Sequence, residues 1–298
     1  MDDQKVFDVF AKGDTTGIFQ FESAGMRRYL QELVPNNFED IIVMVSLYRP
    51  GPMLYIPTYI KRKHGKEKVK YPHESLAKIL ELTQGIAVYQ EQIMQIVQAF
   101  AGFSLGEADI LRRAMGKKIK ELMDEQKGKF IEAATKLGHS EKLATYIFTD
   151  IIEPFAGYGF NKSHAACYSM IAYQTAYLKA YYPTEFLTAL MVSDEDDTDR
   201  IVLEINEAKA NLLYTEIDRN PLFKGSAAVA DRSNMNATFL LNDESHAPIF
   251  DKMWKEAGIS GLPGHRSVGG YRASMYNALP IESVQALVDV MQALEKAV

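Results

Sequence analysis

The spacing of apolar residues predicts that the first two thirds of the chain are mostly helical. Residues 90–101 carry apolar side chains at the 3.6-residue period of an amphipathic helix. Ser104 and Glu107 form a capping-box pattern, in which each side chain accepts a hydrogen bond from the other residue's amide, so a helix is expected to begin there. A further helix is predicted over residues 120–137, with Gly138 at its end.

The pattern changes after about Asn211. Residues 236–241 and 271–277 have the composition of short strands, and residues 245–257 predict a helix with one apolar face. A last helix is expected to start at Pro280, a favourable first helical position. The order strand, helix, strand, helix indicates a small two-layer α/β domain. The predicted fold class is therefore a mainly α-helical domain followed by a small α/β domain.

The composition is that of a globular protein. The chain has 298 residues, 47% of them hydrophobic and 24% charged, which excludes wholesale disorder. The single cysteine, Cys167, cannot form an internal disulfide or a cysteine-based zinc site. We find no basic, apolar leader at the start and no apolar stretch near 18 residues. We therefore expect a cytoplasmic protein with no membrane partner.

The net charge of −6 conceals two basic segments. Residues 61–70 hold six basic residues and one acidic residue, and residues 110–142 hold nine basic and five acidic residues. The compensating acid lies in residues 194–199, which we interpret as a surface run and not as a metal site. Basic runs most often form a solvated face, but the same charge suits a polyanion such as nucleic acid. On charge alone, both interpretations stay open.

Residues 157–164 (GYGFNKSH) place an amide, an ammonium, a hydroxyl and an imidazole in succession after two glycines. These groups donate hydrogen bonds and charge to a polyphosphate. The pattern GxxxxGK[ST] of phosphate loops is absent. The spacing alone is equally typical of a capped turn at the start of a helix.

Several long motifs resemble one family. They are DTTGIFQFES (14–23), LYRPGPM (47–53), VYQEQIMQI (88–96), AGFSLGEADILRRAMGKK (101–118) and FAGYGFNKSHAACYSMIAYQTAYLKAYYP (155–183). Together they resemble the α subunit of bacterial DNA polymerase III, continuously from about residue 6 to residue 208. This resemblance implies that residues 1–208 form the end of the palm and a mainly helical fingers-type domain.

The resemblance also implies partners and site residues. It implies DNA and deoxynucleoside triphosphates as partners, with other replisome subunits as further candidates. In such fingers, Arg112, Arg113, Lys117 and Lys118 would face the triphosphate or the templating strand. Asn161, Lys162, Ser163 and His164 would line the nucleotide pocket, and Arg49 would lie at the junction of palm and fingers.

The catalytic part of that family is missing from the matched motifs. Phosphoryl transfer of this kind needs aspartates that hold two divalent metal ions. In the family those aspartates lie in the palm, upstream of the matched residues, and Asp2 and Asp3 belong to no matching motif. We therefore assign no catalytic residue and no metal site, and expect neither Mg²⁺ binding nor nucleotidyltransferase activity from this chain alone.

The last 90 residues resemble a different family. Residues 211–225, 230–241 and 261–296 look like the carboxy-terminal small domain of phosphoserine aminotransferase, which assigns residues 209–298 to a second domain. The resemblance implies that His265 and Arg266 bind a substrate phosphate and that Arg272 grips a carboxylate. A guanidinium pairs well with either anion. The lysine that binds pyridoxal phosphate lies in the family's large domain, so we expect no cofactor on this chain.

The two resemblances meet near residues 207–210. The first interpretation is a polymerase fragment that binds nucleotide and DNA. The alternatives are an aminotransferase fragment that needs a separate large domain, or an inert chimeric product.

Overall fold

A computed structural model of the chain describes residues 1–117, 120–155, 159–265 and 269–298. The chain divides into two compact units, Met1–Ala180 and Tyr181–Val298. Within the described residues, no helix is both long enough and apolar enough to cross a membrane.

The first unit is built from helices. They are α1 Gln4–Lys12, α2 Ala24–Leu33, α3 Phe38–Leu47, α4 Ile56–Lys63, α5 Ala77–Leu80, α6 Gln90–Ala101, α7 Leu105–Lys117, α8 Lys120–Lys136, α9 Glu141–Ile147, α10 Glu153–Phe155 and α11 Lys162–Tyr181. Short 3-10 segments (Pro52–Tyr55, Glu74–Leu76 and Glu81–Thr83) and a π-helix (Phe148–Ile152) connect some of them. The prediction of a mainly helical fold is confirmed.

The predicted helix ends agree closely with the structure. The periodic segment 90–101 is α6. The Oγ atom of Ser104 accepts from the amide of Glu107 at 3.3 Å, and the Glu107 carboxylate accepts from the amide of Ser104 at 2.8 Å. This capping box starts α7. Helix α8 ends at Lys136, and Gly138 follows with φ 92°, a conformation that glycine adopts without strain.

Two hydrophobic clusters hold the first unit together. The first joins α1 to α4 with α11 and the segment 86–89, and its large buried side chains include Phe7, Phe10, Tyr59 and Tyr89. The second joins α6 to α9, and in it the rings of Phe100 and Phe130 stack with centroids 5.8 Å apart. Burial of each such side chain contributes about 1.5–3 kcal/mol.

The second unit combines helices with a small sheet. Its elements are α12 Pro183–Ser193, α13 Thr198–Arg219, β1 Phe223–Gly225, β2 Asn236–Leu241, α14 Ala247–Glu256, β3 Tyr271–Ser274 and α15 Ile281–Ala297. Within the described residues, the strands form an antiparallel sheet in the order β1-β2-β3. The register pairs Phe223 with Leu241 and Phe239 with Tyr271.

The sheet buries one face against helices. Along β2, Ala237, Phe239 and Leu241 are buried and alternate with half-buried residues, as the period of two in a strand requires. The ring of Phe250 from α14 lies 5.2 Å from that of Phe223 and 5.0 Å from that of Tyr271. These aromatic side chains form the core between the sheet and the helices.

Several predicted elements of this unit are confirmed. Strand 236–241 is β2, and strand 271–277 is present but ends at Ser274. Helix 245–257 is present as α14, preceded by the 3-10 segment Glu244–His246. The placement of Pro280 was wrong by one position, because its ψ of 149° makes it the residue before α15. Strand β1, which has three residues, was not predicted from the sequence.

Helix α13 carries the meeting point of the two resemblances. It runs without interruption from Thr198 to Arg219, so residues 207–210 lie in its interior. Lys209 is fully buried there, and its Nζ donates to the carbonyl oxygens of Tyr276 at 2.9 Å and Leu279 at 3.2 Å. Burial lowers the pKa of Lys209. The boundary at residue 208 stays a prediction about sequence families.

Candidate functional site

The start of α11 is attached to the start of α6 by backbone hydrogen bonds. Phe160 forms an isolated parallel bridge with Tyr89. The amide of Gln90 donates to the carbonyl of Phe160 at 2.8 Å, and the amide of Phe160 donates to the carbonyl of Val88 at 3.3 Å. This bridge fixes the position at which residues 161–164 enter the helix.

Glu91 and Asn161 satisfy the amides at the beginning of α11. The Glu91 carboxylate accepts from the amide of Lys162 and, at 3.0 Å, from the Nδ2 of Asn161. Asn161 Oδ1 accepts from the amide of His164 at 2.8 Å, which makes Asn161 the N-cap. A carboxylate at this end also suits the positive end of the helix dipole.

Lys162 lies over an aromatic ring and beside a carboxylate. Its Nζ is 2.8 Å from Glu39 Oε1 and 4.9 Å from the centroid of the Tyr89 ring. The Tyr89 hydroxyl donates to the same Glu39 oxygen at 3.0 Å. Burial, reinforced by the negative charge of Glu39, raises the pKa of Tyr89 far above its usual value, so this hydroxyl stays a donor.

Arg49 packs on the ring of Phe160, next to the start of α11. Its guanidinium carbon lies 4.3 Å from the centroid of Phe160, and its Nε donates to the carbonyl of Ser46 at 2.8 Å. Partial burial lowers the pKa of Arg49. Arg49, Asn161, Lys162 and His164 thus gather around Phe160 and the start of α11, with Ser163 exposed in its first turn.

Gly159 has a packing role that the sequence did not predict. A Cβ atom at this position would collide with ring atoms of Phe155, so the glycine makes room for that ring. The contact with Phe155 gives this glycine a structural reason that is independent of any ligand. Gly157 and Tyr158 lie outside the described residues.

Two arginines near the end of α7 form ion pairs with one acidic residue. Asp109 accepts from Arg112 Nη2 at 2.7 Å and from Arg113 Nη2 at 2.6 Å. The hydrogen bond from Arg112 is the main cause that lowers the pKa of Asp109. Arg113 is exposed on the protein surface. Of the other two predicted residues, the side chain of Lys117 and the whole of Lys118 lie outside the described part.

Two basic residues of the segment 61–70 have structural partners. Lys63 forms an ion pair with the buried Asp40. Arg62 donates to Glu67 Oε1 and to the carbonyl of Gln84, both at 2.9 Å. The exposed basic residues are therefore Lys61, Lys66, Lys68 and Lys70.

In the second unit, Arg272 lines a cavity of about 400 Å³ between residues 257–262, β3 and the first turns of α15. His265 is exposed, and its carbonyl accepts from the amide of Gly269 at 2.9 Å. Gly270 has φ 66° and packs tightly on Leu240 and Phe239, where a side chain would collide. Arg266 lies outside the described residues.

The acid run 194–199 has a structural role. Asp197 caps α13 by accepting from the amide of Arg200 at 3.1 Å, and Asp194 pairs with Arg200 at 2.9 Å. Within the described residues, no group of three His, Cys, Asp or Glu side chains could hold a metal ion.

Three residues of the site were not predicted from the sequence: Glu39, Tyr89 and Glu91. Tyr89 and Glu91 belong to the motif VYQEQIMQI. An acidic residue in the first turn of a helix is already explained by the helix dipole, so the sequence gives no sign that Glu91 has a distant partner. Their role depends on the pairing of Val88 with Phe160, which a local pattern does not reveal.

Comparison with known proteins matches most of the chain to one set of relatives. Residues 1–138 match the model of the bacterial DNA polymerase III alpha subunit finger domain. DNA polymerase III subunit alpha of Thermus aquaticus is 53% identical over 270 residues, which cover 85% of this chain and 22% of that protein. The subunit of Bacillus subtilis is 53% identical over 209 residues (70% and 19%), and that of Escherichia coli K12 is 50% identical over 214 residues (70% and 18%).

These matches support the polymerase finger part of the sequence prediction. The chain spans only about a fifth of the length of these relatives. The Thermus aquaticus match covers a larger share of the chain than a boundary at residue 208 would give.

Solved structures of phosphoserine aminotransferase also align with the chain. One covers 52% of this chain and 37% of that chain, with 31% identity and a TM-score of 0.33. The structure from Bacillus circulans subsp. alkalophilus covers 53% and 38%, with 29% identity and a TM-score of 0.33. Because these scores are low, they carry no argument about the fold, and the aminotransferase part stays a prediction.

Proposed function

We propose that this chain is a fragment of a replicative DNA polymerase that binds the incoming nucleotide and DNA through its fingers and is inactive alone. The observation that carries the proposal is the group formed by Arg49, Asn161, Lys162 and His164 at the start of α11. It combines two cations with directed hydrogen-bond donors, as recognition of a triphosphate requires.

The partners of Lys162 indicate how a triphosphate would bind. Glu39 neutralises its ammonium, and Glu91 accepts from its backbone amide. Phosphate oxygens carry the same charge and accept the same hydrogen bonds as these carboxylates. A triphosphate would therefore bind by replacing Glu39, Glu91 or both, and Lys162 would move from one anion to another.

Titration of a fluorescent deoxynucleoside triphosphate tests the nucleotide part. Lys162→Met should lower the affinity about 10-fold or more, because a charge-assisted hydrogen bond contributes about 1.5–3 kcal/mol. Lys142→Met is the matched control, since Lys142 is an exposed lysine on α9 and is not one of the group at the start of α11. Equal affinities of the two variants would show that Lys162 does not bind the triphosphate, and would contradict the proposal that the group at the start of α11 binds nucleotide.

Salt dependence tests the DNA part. Binding to primed DNA should weaken as salt rises, because bound phosphates release counterions. Neutralising Lys117 and Lys118 together should make the slope of log K against log [salt] shallower by about 0.9 for each phosphate that the lysines would have neutralised. Binding that does not respond to salt, or no binding, would contradict this part of the proposal.

The expected inactivity has its own test. We expect no primer extension by the purified chain with magnesium, because the matched motifs do not include the metal-binding aspartates of the palm. Measurable extension that survives repurification would overturn this expectation.

The position of Arg272 favours a second candidate. Arg272 is one of the residues that line the cavity of the second unit, and its guanidinium would suit a small carboxylate. Under this alternative the chain supplies an aminotransferase small domain and needs a separate large domain for activity. Transaminase activity restored on mixing, and abolished by Arg272→Met, would favour it. A changed absorption spectrum of pyridoxal phosphate with this chain alone would contradict the expected absence of a cofactor.

We also propose that the chain is a chimera whose segments join inside α13. Sequencing the source DNA without a break across codons 195–220 tests this directly. If the chain binds neither triphosphate nor DNA, and mixing with a large domain restores no transaminase activity, the inert chimeric product is the remaining interpretation.

A further inference from the structure

Four aromatic rings and one guanidinium follow one another along the surface of the first unit. The ring centroids of Phe19 and Tyr168 are 5.3 Å apart, those of Tyr168 and His164 are 4.3 Å apart, and those of His164 and Phe160 are 5.5 Å apart. The guanidinium of Arg49 lies on Phe160 at the end of the series. We call these five side chains the aromatic ladder.

The fold holds Phe19 at the surface. Its neighbours Ile18 and Phe21 are fully buried, whereas 39% of Phe19 is exposed. The loop between α1 and α2 is fixed by internal hydrogen bonds, in which the Thr15 hydroxyl donates to the carbonyl of Phe21 and the Gly17 amide donates to Glu22 Oε1, both at 2.6 Å. A large apolar ring is thus presented to solvent by a segment with a defined conformation.

Helix α11 supplies the middle of the ladder. His164 and Tyr168 are four residues apart, so their rings lie on the same face of the helix. His164 is exposed and Tyr168 is half-buried, while Ala165 between them is fully buried in the first cluster. The rings therefore border solvent on one side and are supported by the core on the other.

The ladder ends beside positive charge. Arg49 lies on its last ring, and Lys162 follows two residues after Phe160. Proteins that bind single-stranded nucleic acid combine aromatic rings, on which bases stack, with cations that follow the phosphates.

We infer that the aromatic ladder binds unpaired bases of single-stranded DNA by stacking. The inference rests on the proposed function for the class of ligand, but it assigns a separate role to Phe19 and Tyr168. The bases would stack on Phe19, Tyr168 and His164, and the phosphates would lie toward Arg49 and Lys162.

Fluorescence anisotropy with two labelled strands tests this inference. One is an oligothymidylate of about 12 nucleotides, within the typical range of about 4–16 per site, and the other is an abasic strand of equal length. We expect the oligothymidylate to bind at least about five-fold more tightly, because each stacked base contributes at least that factor.

Ring-removing variants locate the effect. Phe19→Leu and Tyr168→Leu keep apolar bulk but remove the ring, so each should weaken oligothymidylate binding about five-fold or more and leave abasic binding unchanged. Tyr168→Phe keeps the ring and should retain the affinity. Tyr146→Leu is the control, because Tyr146 is an exposed aromatic residue on α9 outside the ladder, and it should bind as the unaltered chain does. Circular dichroism verifies that each variant is folded.

The outcomes separate this inference from the proposed function. The ladder would be overturned if the two strands bound equally, if neither strand bound, or if the ladder variants bound as Tyr146→Leu does. The triphosphate titration with Lys162→Met would then still test the nucleotide site independently. Base-dependent binding that requires Phe19 and Tyr168, together with unchanged triphosphate binding in Lys162→Met, would support the ladder and remove the nucleotide proposal. Association with anionic vesicles in place of oligothymidylate would overturn the ladder.

Discussion

Both carboxylate oxygens of Glu91 accept a hydrogen bond from the backbone N–H of Lys162, at 3.1 and 3.0 Å. The first amides of a helix have no partner within the helix, so an external acceptor is needed. Here it comes from α6, 71 residues away in the sequence. The two helices are thereby joined at the residues proposed to bind nucleotide.

The hydrogen bonds of Glu91 predict local exchange behaviour. Glu91→Ala removes the acceptor of the Lys162 amide and a cap-like interaction, which contributes about 1–2 kcal/mol. We expect the amides of residues 162–164 to exchange hydrogen about 5–30-fold faster, measured by hydrogen exchange with mass spectrometry. Glu141→Ala serves for comparison, because Glu141 is exposed in the first turn of α9. Unchanged exchange at α11 in Glu91→Ala would mean that another group caps this helix.

Asp40 is the buried centre of a hydrogen-bond group. It is 1% exposed, and it accepts from the hydroxyl of Tyr59 at 2.9 Å, from the ammonium of Lys63 and from the amide of Asn36. Asp40→Asn removes the charge opposite Lys63 and should lower the free energy of unfolding by about 3–5 kcal/mol. Urea denaturation followed by circular dichroism measures it.

A double-mutant cycle with Lys63→Met gives the control for Asp40. If the destabilisation comes from the uncompensated ammonium, adding Lys63→Met should recover part of the free energy of unfolding that Asp40→Asn removes. Fully additive effects would show that the pair does not interact energetically.

Two glycines should respond in opposite directions to alanine. Gly159→Ala places a methyl group against the ring of Phe155 and should destabilise the first unit by about 1–3 kcal/mol. Gly128 lies inside α8 with open space around it, so Gly128→Ala should stabilise by about 0.5–1 kcal/mol through helix propensity. Thermal unfolding of both variants measures the two effects. A neutral Gly159→Ala would show that the Phe155 ring moves aside easily.

Glu216 makes the stability of the second unit depend on pH. Burial raises the pKa of Glu216, but hydrogen bonds from Arg219, Asn220 and Gln292 outweigh burial and hold it below 4.5, its ordinary value. The carboxylate therefore stabilises the folded state above that value, and this contribution disappears as the pH falls through the folded-state pKa. Glu216→Gln should lower the free energy of unfolding by about 1–3 kcal/mol at about pH 7.

Trp254 provides the readout for Glu216. It is the chain's single tryptophan and is 5% exposed in the second unit, so its fluorescence in urea follows that unit. The difference between Glu216→Gln and the unaltered chain should shrink as the pH is lowered below 4.5, the ordinary pKa of a glutamate. A difference that is constant with pH would show that the carboxylate charge is not its source.

Asp109 should weaken the binding of α7 to DNA. It pairs with both Arg112 and Arg113, so Asp109→Asn leaves two guanidinium groups available for phosphates. We expect tighter binding to primed DNA and a salt slope steeper by about 0.9 for each additional phosphate that is neutralised. Asp124→Asn, on the exposed side of α8, changes the net charge equally and controls for it. Equal increases in affinity in both variants would mean that only net charge matters.

The local features of the fold were predictable from the sequence. The period of apolar residues gave α6, and the Ser104 and Glu107 pair gave the start of α7, because both depend on residues a few positions apart. Likewise the strand-like composition of residues 236–241 predicted β2. Strand β1 was not predicted, because three residues are too few to show an alternation of apolar and polar positions.

The site was predictable only in part. Residues 161–164 were proposed from their chemical type and from the resemblance, and Arg49 from the resemblance alone, whereas Glu39 and Glu91 were not proposed. Their roles arise from contacts between segments far apart in the sequence, which the tertiary fold alone brings together. The same holds for Gly159, whose constraint comes from the ring of Phe155.

The unbroken helix α13 limits how the chain can be cut. A protease needs an extended segment of several residues, and the 22 residues of α13 offer none without unwinding the helix. Digestion under native conditions should therefore spare residues 207–210 and cut in the exposed acid run before Asp197. The carboxy-terminal fragment released in this way would begin well before residue 208, so its amino-terminal sequence would mark the edge of a folded piece and not the proposed boundary between the two resemblances.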